Sequence, residues 1–456
     1  MADSGVTVGQ VIDSIPTGRF HRRLLLATGT IWATTAMEVL SISFTLSTFI
    51  EIWNLSELAA GLLGSAGLLG MIVGTTAGGW YSDRVGRKRG LAVSVALFSV
   101  FGGLTALATG FYSAFVLRLL TGIGVGGTIA ADASYLSEHV PTERRGRYLA
   151  YLELFYALGN SVTVIVAWTV LSELSAGGTV FGIAAWRVFF ASAALPVVLL
   201  LVVAVLPESP YYLARKNRTG EASDRLASIA RTNDAGATTV SGPVRAGESD
   251  NTGFSRLFEP GLRKTTLLFS AVWFGLNFGY YGVFIWLPRT VEAAGYVGGL
   301  YAYLFLVSVF QILGVLSAAY LIDALGRKPT TGGSLVLAGA FTFLFASAVP
   351  GVGLDLGVSG RLPFLGGMLA MGFFIFGAFG VMFAYTSESF PTEVRSTGLG
   401  FATGVGKVAA VGGPVVVGFL TQYGSLVALA PVAASLVAAG IGLLLFGRET
   451  KGETLV

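Results

Sequence analysis

Twelve apolar segments limit this chain more than any other feature. Each lies near the ~20 residues that cross ~30 Å of hydrocarbon. They fall at roughly 24–50, 58–80, 90–110, 112–137, 148–171, 185–206, 265–288, 298–322, 331–350, 362–387, 397–421 and 426–446 of 456 residues. Charged residues are 12% of the chain, against about 25% in soluble domains, so a soluble core is excluded. The 63 glycines suit closely packed membrane helices. The expected fold is an all-α membrane protein with twelve spans. The polar first twenty residues end in R-F-H-R-R, Arg19–Arg23. No small-residue cleavage pattern closes the run after them, so it reads as a first span rather than a removable signal.

Arginine and lysine set the expected orientation. With the amino terminus inside, the inner segments hold 24 of the 29 basic residues, and the outer loops hold only Arg187, Arg289 and Arg361. That asymmetry follows the positive-inside rule and places both termini in the cytoplasm, with the protein in the cell membrane. It also accounts for the net charge of +4 without a nucleic-acid partner, since no aromatic-interleaved basic patch is present. The chain has no cysteine and two histidines, His21 and His139. Thiolate chemistry and a His-rich metal centre are thereby excluded, and neither metal nor cofactor is expected.

Two short patterns are written twice. Asp83–Lys88 reads D-R-V-G-R-K and Asp323–Lys328 reads D-A-L-G-R-K; Glu138–Arg145 reads E-H-V-P-T-E-R-R and Glu388–Arg395 reads E-S-F-P-T-E-V-R. Each sits where an apolar run meets a short charged loop. Two halves repeating one plan within a membrane is the organisation of a secondary transporter. The expected division is a cytoplasmic segment 1–23, a first bundle 24–207, a linker 208–264, a second bundle 265–446 and a tail 447–456. The linker opens with P-E-S-P-Y-Y-L, contains a stretch suited to a short surface helix, and turns Gly/Ser/Thr-rich at 233–253. It is too short for an enzymatic domain and holds no P-loop. The glycine series Gly122–Gly127 lies inside an apolar run with no preceding strand, which excludes a dinucleotide site and points to helix packing.

The stretch G-G-W-Y-S-D-R-V-G-R-K-R, Gly78–Arg89, resembles the loop signature of the major facilitator superfamily, and the resemblance runs the length of the chain. R-L-L-T-G-I-G-V-G-G from Arg118, P-T-E-R-R-G-R from Pro141, P-E-S-P from Pro207 and the tail E-T-K-G-E-T-L resemble sugar porters. A-M-E-V-L in the first span and F-G-Y-Y-G-V-F-I-W-L-P from Phe278 are similar to the niacin-permease, synaptic-vesicle-protein-like and organic-ion branch. The resemblance implies a monomeric transport unit. It departs from sugar porters in the seventh span: they carry Q-Q-x-S-G-x-N, where this chain reads W-F-G-L-N-F-G-Y-Y-G.

The duplicated charges are expected to gate the cytoplasmic mouth. Asp83, Arg84 and Arg87 would work with Glu138, Arg145 and Glu208, and Asp323 and Arg327 with Glu388 and Arg395. Glu138 with Arg145, and Glu388 with Arg395, are the expected partner clusters of these loops. Five ionisable residues inside the spans are candidates for the transport chemistry. Glu38 and Arg118 are expected at overlapping depth on neighbouring spans, as a pair that handles the coupling proton. Asp132 and Glu153 are further proton-handling candidates. Lys407, ~15 Å into its span, falls where the resemblance places Asp in organic-cation carriers and Arg in organic-anion carriers, which implies an anionic cargo. Asn160, Asn277, Tyr280, Tyr281 and Gln311 complete the expected binding site, while Trp286 is expected to mark the outer interface. The leading expectation is proton-coupled uptake of an aromatic monocarboxylate such as nicotinate. Sugar or polyol symport, organic-cation or drug efflux, and a non-transporting receptor are the alternatives.

Overall fold

The computed structural model describes residues 6–173, 178–234, 244–245, 254–349, 360–391 and 393–451. Among them are twelve helices long and apolar enough to span a membrane. They are α1 (Arg19–Phe44), α2 (Glu57–Val85), α3 (Arg87–Leu107), α4 (Phe111–Ser137), α5 (Thr142–Glu173), α6 (Ala185–Val205), α7 (Arg263–Phe284), α8 (Val297–Ala324), α9 (Arg327–Ser347), α10 (Arg361–Glu388), α11 (Thr397–Tyr423) and α12 (Ser425–Phe446). The order agrees with the sequence reading, but several ends differ. The first run does not continue unbroken to residue 50: it tightens into a 3₁₀ turn at Ile42–Phe44 before a separate helix, Leu46–Trp53. The seventh ends at Phe284, and Pro288 sits in the first turn of a separate helix, Leu287–Ala293. A proline there lacks only an N–H that would be unpaired anyway. A two-residue-per-strand hairpin, Thr179–Val180 with Ile183–Ala184, stands between α5 and α6.

Within each half the helices pack closely: α2 and α3 on α4, α1 on α5, α7 on α11 and α12, and α9 on α10 and α12. The halves meet along two seams, α2 against α11 and α5 against α8 and α10. Glycine makes the α2–α4 contact possible. A Cβ on Gly70, Gly74 or Gly122 would run into the backbone carbonyl of Leu119, Ile123 or Gly67 respectively. The Gly122–Gly127 series is therefore a packing surface, as its apolar setting implied.

The two D-x-x-G-R-K loops turn at Gly86 (φ 113°) and Gly326 (φ 103°), a backbone conformation that excludes most side chains. At this motif-bearing end a small separate core stands outside the spans. Val8, Val11, Ile12 and Ile15 pack on Leu213, Leu226 and Ile229. The sequence reading expected a single short linker helix; the structure has two, Pro210–Arg215 and Thr219–Thr232. It also has an amino-terminal helix, Val8–Ser14, begun by a Thr7/Gln10 capping box. That stretch looked merely polar because its apolar face is only two turns long. Most of the Gly/Ser/Thr-rich linker stretch lies outside the described residues.

Candidate functional site

Halfway along the seam between the halves, three uncharged polar side chains meet. Asn160 of α5 donates from Nδ2 to Gln311 Oε1 of α8 (2.9 Å) and to Tyr280 Oη of α7 (3.3 Å). All three are buried, and the Asn160 carbonyl oxygen has no hydrogen-bond partner among the described residues. A buried acceptor left open is costly, and this oxygen can still accept a further donor. Rings enclose the cluster. Tyr280 meets Tyr281 at 4.7 Å, Phe284 at 4.8 Å, Phe376 at 5.5 Å and Phe379 at 5.6 Å between centroids. Tyr156 reaches Phe376 at 6.4 Å. Sequence reasoning named Tyr280 and Tyr281 but missed Tyr156, Phe376 and Phe379. Phenylalanines in an apolar span carry no mark of which face turns inward.

Asn277 lies apart from this cluster. Its Nδ2 bonds back to Trp273 O at 2.9 Å, and the amide packs where a Cβ on Gly406 would sit, so it belongs to the α7–α11 contact. Trp286 does not mark an interface either: it is buried, and its Nε1 donates to Pro414 O at 2.9 Å. Lys407 reaches across the other seam, donating from Nζ to Thr75 Oγ1 of α2 at 2.6 Å. A lysine ammonium has three donors, so a hydroxyl partner leaves capacity for an anion.

Glu38 and Arg118 form the expected pair at 3.7 Å, and both side chains are almost wholly enclosed. The guanidinium is held by more than the carboxylate. It donates to Ser41 Oγ (2.9 Å), Thr105 Oγ1 (3.0 Å), Thr121 Oγ1 (3.1 Å) and the Glu38 carbonyl (3.3 Å). Glu38 Oε2 accepts no hydrogen bond among the described residues. Arg118 is thus held by neutral acceptors as well as by the Glu38 carboxylate. Asp132 is fully enclosed in α4, with neither carboxyl oxygen hydrogen-bonded among the described residues. Glu153 is buried on α5.

The ion pairs of the duplicated loops lie within the halves. Arg87 pairs with Asp83 and with Glu138 (2.8 Å), and Arg327 makes a two-pronged contact with Glu388 (2.9 and 3.1 Å). Of the two expected partner clusters, the glutamates meet the D-x-x-G-R-K arginines, whereas Arg145 and Arg395 make no ion pair with Glu138 or Glu388 among the described residues. Arg145 donates to Val140 O and Tyr211 Oη, and Arg395 to Ser387 O. Each of these arginines folds back onto a preceding carbonyl, that of Val140 in the loop after α4 or of Ser387 in the last turn of α10, leaving the glutamate to the D-x-x-G-R-K arginine. Arg84 lies over the Trp80 ring at 3.6 Å. Asp323 is exposed and makes no ion pair among the described residues.

Glu208 accepts from the Lys88 N–H (3.2 Å), and Glu449, which sequence reasoning passed over, accepts from the N–H groups of Arg327 (2.8 Å) and Lys328 (3.0 Å). Each carboxylate thus satisfies the free donors at a helix start. The recurrence of Tyr135 and Tyr385 three residues before Glu138 and Glu388 was the available clue. Their hydroxyls donate to Pro207 O (2.6 Å) and Arg448 O (2.7 Å), next to the two capping glutamates. Burial opposes the charge on Glu449, but four backbone N–H groups outweigh it and hold the carboxyl below the usual carboxylate range.

At the far end, polar contacts do join the halves. Arg289 pairs with Glu57, Ser47 Oγ donates to Glu292 Oε2 at 2.5 Å, and Ser65 Oγ donates to Val411 O at 2.8 Å. That end is closed in this structure.

Known proteins resemble this chain in sequence and in fold. The niacin transporter NiaP of Acinetobacter baylyi is 30% identical over 97% of this chain and 98% of its own. Organic cation/carnitine transporter 7 of Arabidopsis thaliana is 28% identical over 100% and 97%. The partially occluded inward-open structure of the xylose transporter XylE from E. coli superposes with a TM-score of 0.78 at 19% identity, covering 96% of this chain and all of that one, a likeness of fold. The family described as "Sugar (and other) transporter" matches residues 19–456. With that match over nearly the whole chain, and a two-half helical bundle around a central polar seam, this chain belongs to the sugar (and other) transporter family, within the major facilitator superfamily.

Proposed function

We propose that this transporter, which is not an enzyme, carries a small organic solute by alternating access in symport with protons. The two halves would rock about the Asn160–Tyr280–Gln311 seam. The observation that carries the reading is the enclosed Glu38–Arg118 pair in the first half. Its arginine is held by neutral oxygens, so the carboxyl can gain or lose a proton without the guanidinium moving away. The motif-bearing end would face the cytoplasm, as the basic residues concentrate there. The contacts that join the halves at the far end support an inward-facing reading of this structure. The proposed division keeps 24–207 and 265–446 as the rocking units, and the monomer as the transport unit.

Two cargo classes fit the seam. A sugar or polyol suits the uncharged amide and phenol cluster, and is supported by the family description and by the fold shared with a xylose transporter. A flat aromatic monocarboxylate suits the rings with Lys407 as counter-charge, and is supported by the similarity to a niacin transporter. Thermal-shift binding of D-xylose, nicotinate, nicotinamide and a quaternary ammonium to purified protein separates the classes. Stabilisation by nicotinate but not its amide, lost in Lys407→Ala, supports the acid; stabilisation by xylose with Lys407→Ala unaffected supports the sugar. Uptake into vesicles tests the coupling. Glu38→Gln should lose accumulation driven by a pH gradient and keep exchange, and unaltered accumulation would overturn the proton role of Glu38.

A further inference from the structure

A groove of about 390 Å³ runs between α7, α11 and α12 of the second half. Its walls include Leu268, Ala271 and Gly275 of α7, Val405 of α11, and Ala438 and Gly442 of α12. α7 and α12 run antiparallel there, with Gly442 beside Leu268 and Gly275 beside Ala439. Ala271 and Ala438 are exposed, as are the larger apolar side chains of Leu267, Phe274 and Leu445 on the same helices. In a chain that spans the membrane such a surface meets hydrocarbon rather than water.

The groove keeps to one leaflet and has a basic head. Lys264, Leu268, Ala271 and Gly275 stand at i, i+4, i+7 and i+11, so they share one stripe of α7. From Lys264 to Gly275 the helix rises ~16 Å, about half of the ~30 Å hydrocarbon thickness. Lys264 and its neighbour Arg263 are exposed at the motif-bearing end. Neither makes an ion pair among the described residues, and Glu259, the nearest carboxylate in sequence, does not pair with them. Both belong to the first turn of α7, whose free N–H groups and helix dipole favour an anion.

One group in the wall is polar and open. Ser270 is 7% exposed, and its hydroxyl has no hydrogen-bond partner among the described residues. Ser435, across the groove on α12, instead donates to Val432 O of its own helix at 2.8 Å. Ser270 therefore leaves a donor in a wall that is otherwise apolar.

We propose that this groove is a binding site for an anionic phospholipid of the leaflet on the motif-bearing side. One acyl chain lies along the Leu268–Gly275 stripe and the phosphate sits at Lys264 and Arg263. The open Ser270 hydroxyl is available to an oxygen of the bound lipid. The match is in shape and charge together: an apolar slot one leaflet long, headed by cations that no protein carboxylate neutralises. A zwitterionic lipid brings the same chain without the net charge. The site shares no residue with the Asn160–Tyr280–Gln311 seam, so it stands apart from the reading of the cargo site.

The test uses the full chain, purified in detergent and stripped of lipid. Native mass spectra count bound lipid, and thermal unfolding reports its effect. The probes are dioleoyl phosphatidylglycerol, dioleoyl phosphatidylcholine with the same chains, and glycerophosphoglycerol, the anionic headgroup without chains. Phosphatidylglycerol should be preferred over phosphatidylcholine by about fivefold for each basic residue engaged. Lys264→Glu should erase that preference and Lys264→Arg keep it. Ala438→Phe fills the groove from an exposed position and should lose both lipids. Val162→Phe, at an exposed position of α5, should bind as wild type does. Equal unfolding midpoints without lipid check that the variants keep the fold. A preference that survives Lys264→Glu, or binding that survives Ala438→Phe, would mean ordinary lipid around the helices and overturn the site. Stabilisation by the headgroup alone, equal to that by the whole lipid, would overturn the role of the groove. Dimers that Ala438→Phe disperses would give the groove to a second copy of the chain and overturn the lipid assignment.

Discussion

The two halves share their ends and differ in their middles. At the motif-bearing end each repeats the same device: a glycine turn, an arginine bound to the glutamate at the end of α4 or α10, and a second glutamate over the helix start. Glu208 fills that last role in the first half and Glu449 in the second. At mid-depth the likeness stops. The first half encloses an acid–arginine pair, Glu38–Arg118, whereas the second offers the single cation Lys407 on a hydroxyl of the first half. Structural requirements at helix ends are the same in both halves, because unpaired N–H groups and charged loops must be satisfied wherever they occur. Mid-depth charge is costly and is placed where transport needs it.

The largest effect expected from this contrast lies at Arg118. Arg118→Leu leaves Glu38 without its cation and should destabilise the protein by about 3–5 kcal/mol. Thermal unfolding in one detergent measures this. In the double variant with Glu38→Gln much of the loss should return, and simple addition of the two effects would mean that the pair is not coupled.

The shared ends make a finer test. The Arg87 side chain is 9% exposed and contacts two carboxylates, whereas Arg327 is 20% exposed and contacts one. Arg87→Ala should cost about 2–3 kcal/mol and Arg327→Ala about 1–2 kcal/mol, by loss of charge-assisted hydrogen bonds. The reverse order in unfolding midpoints would break the assignment of the denser network to the first half.

Smaller still is the difference between the two aspartates. Asp83 pairs with Arg87 but is 58% exposed, so Asp83→Asn should cost about 0.5 kcal/mol and Asp323→Asn close to nothing. Spin labels placed across the motif-bearing mouth, in a chain with no native cysteine, would report any accompanying opening. A larger change from Asp323 would assign that residue a partner in another transport state.

The least effect concerns the tail and acid. The folded-state titration of Glu449 lies below the usual carboxylate range. Its contribution is therefore fully present above the ordinary carboxylate titration and is lost as pH falls through the depressed folded value. Hydrogen exchange at Arg327 and Lys328 should stay protected at mildly acidic pH and rise only under stronger acid. Glu449→Gln should remove that acid step, and an acid step that persists in the variant would assign it to another group.

Much of the scaffold was legible in the residues themselves. Apolar runs of spanning length, basic residues gathered at one end, and two duplicated loop patterns carry the fold, because hydrocarbon thickness and helix-end chemistry act on local sequence. The Glu38–Arg118 pair was readable for a related reason: two opposite charges at one depth have few other partners. The binding seam was only half readable. Asn160 and Gln311 stand out as polar residues in apolar spans, but Phe376 and Phe379 look like any lipid-facing phenylalanine until α10 is packed on α5. Which glutamate takes which arginine was likewise undecided by spacing. Glu138 and Arg145 are close in sequence, yet Arg145 folds back onto the Val140 carbonyl and leaves Glu138 for Arg87, 51 residues away. Sequence alone determined the number of spans, the duplication and the presence of charge within the membrane, since each is a matter of local composition. Tertiary packing decided which faces turn to the seam and which charges meet, because those depend on the rotation and approach of helices distant in the chain.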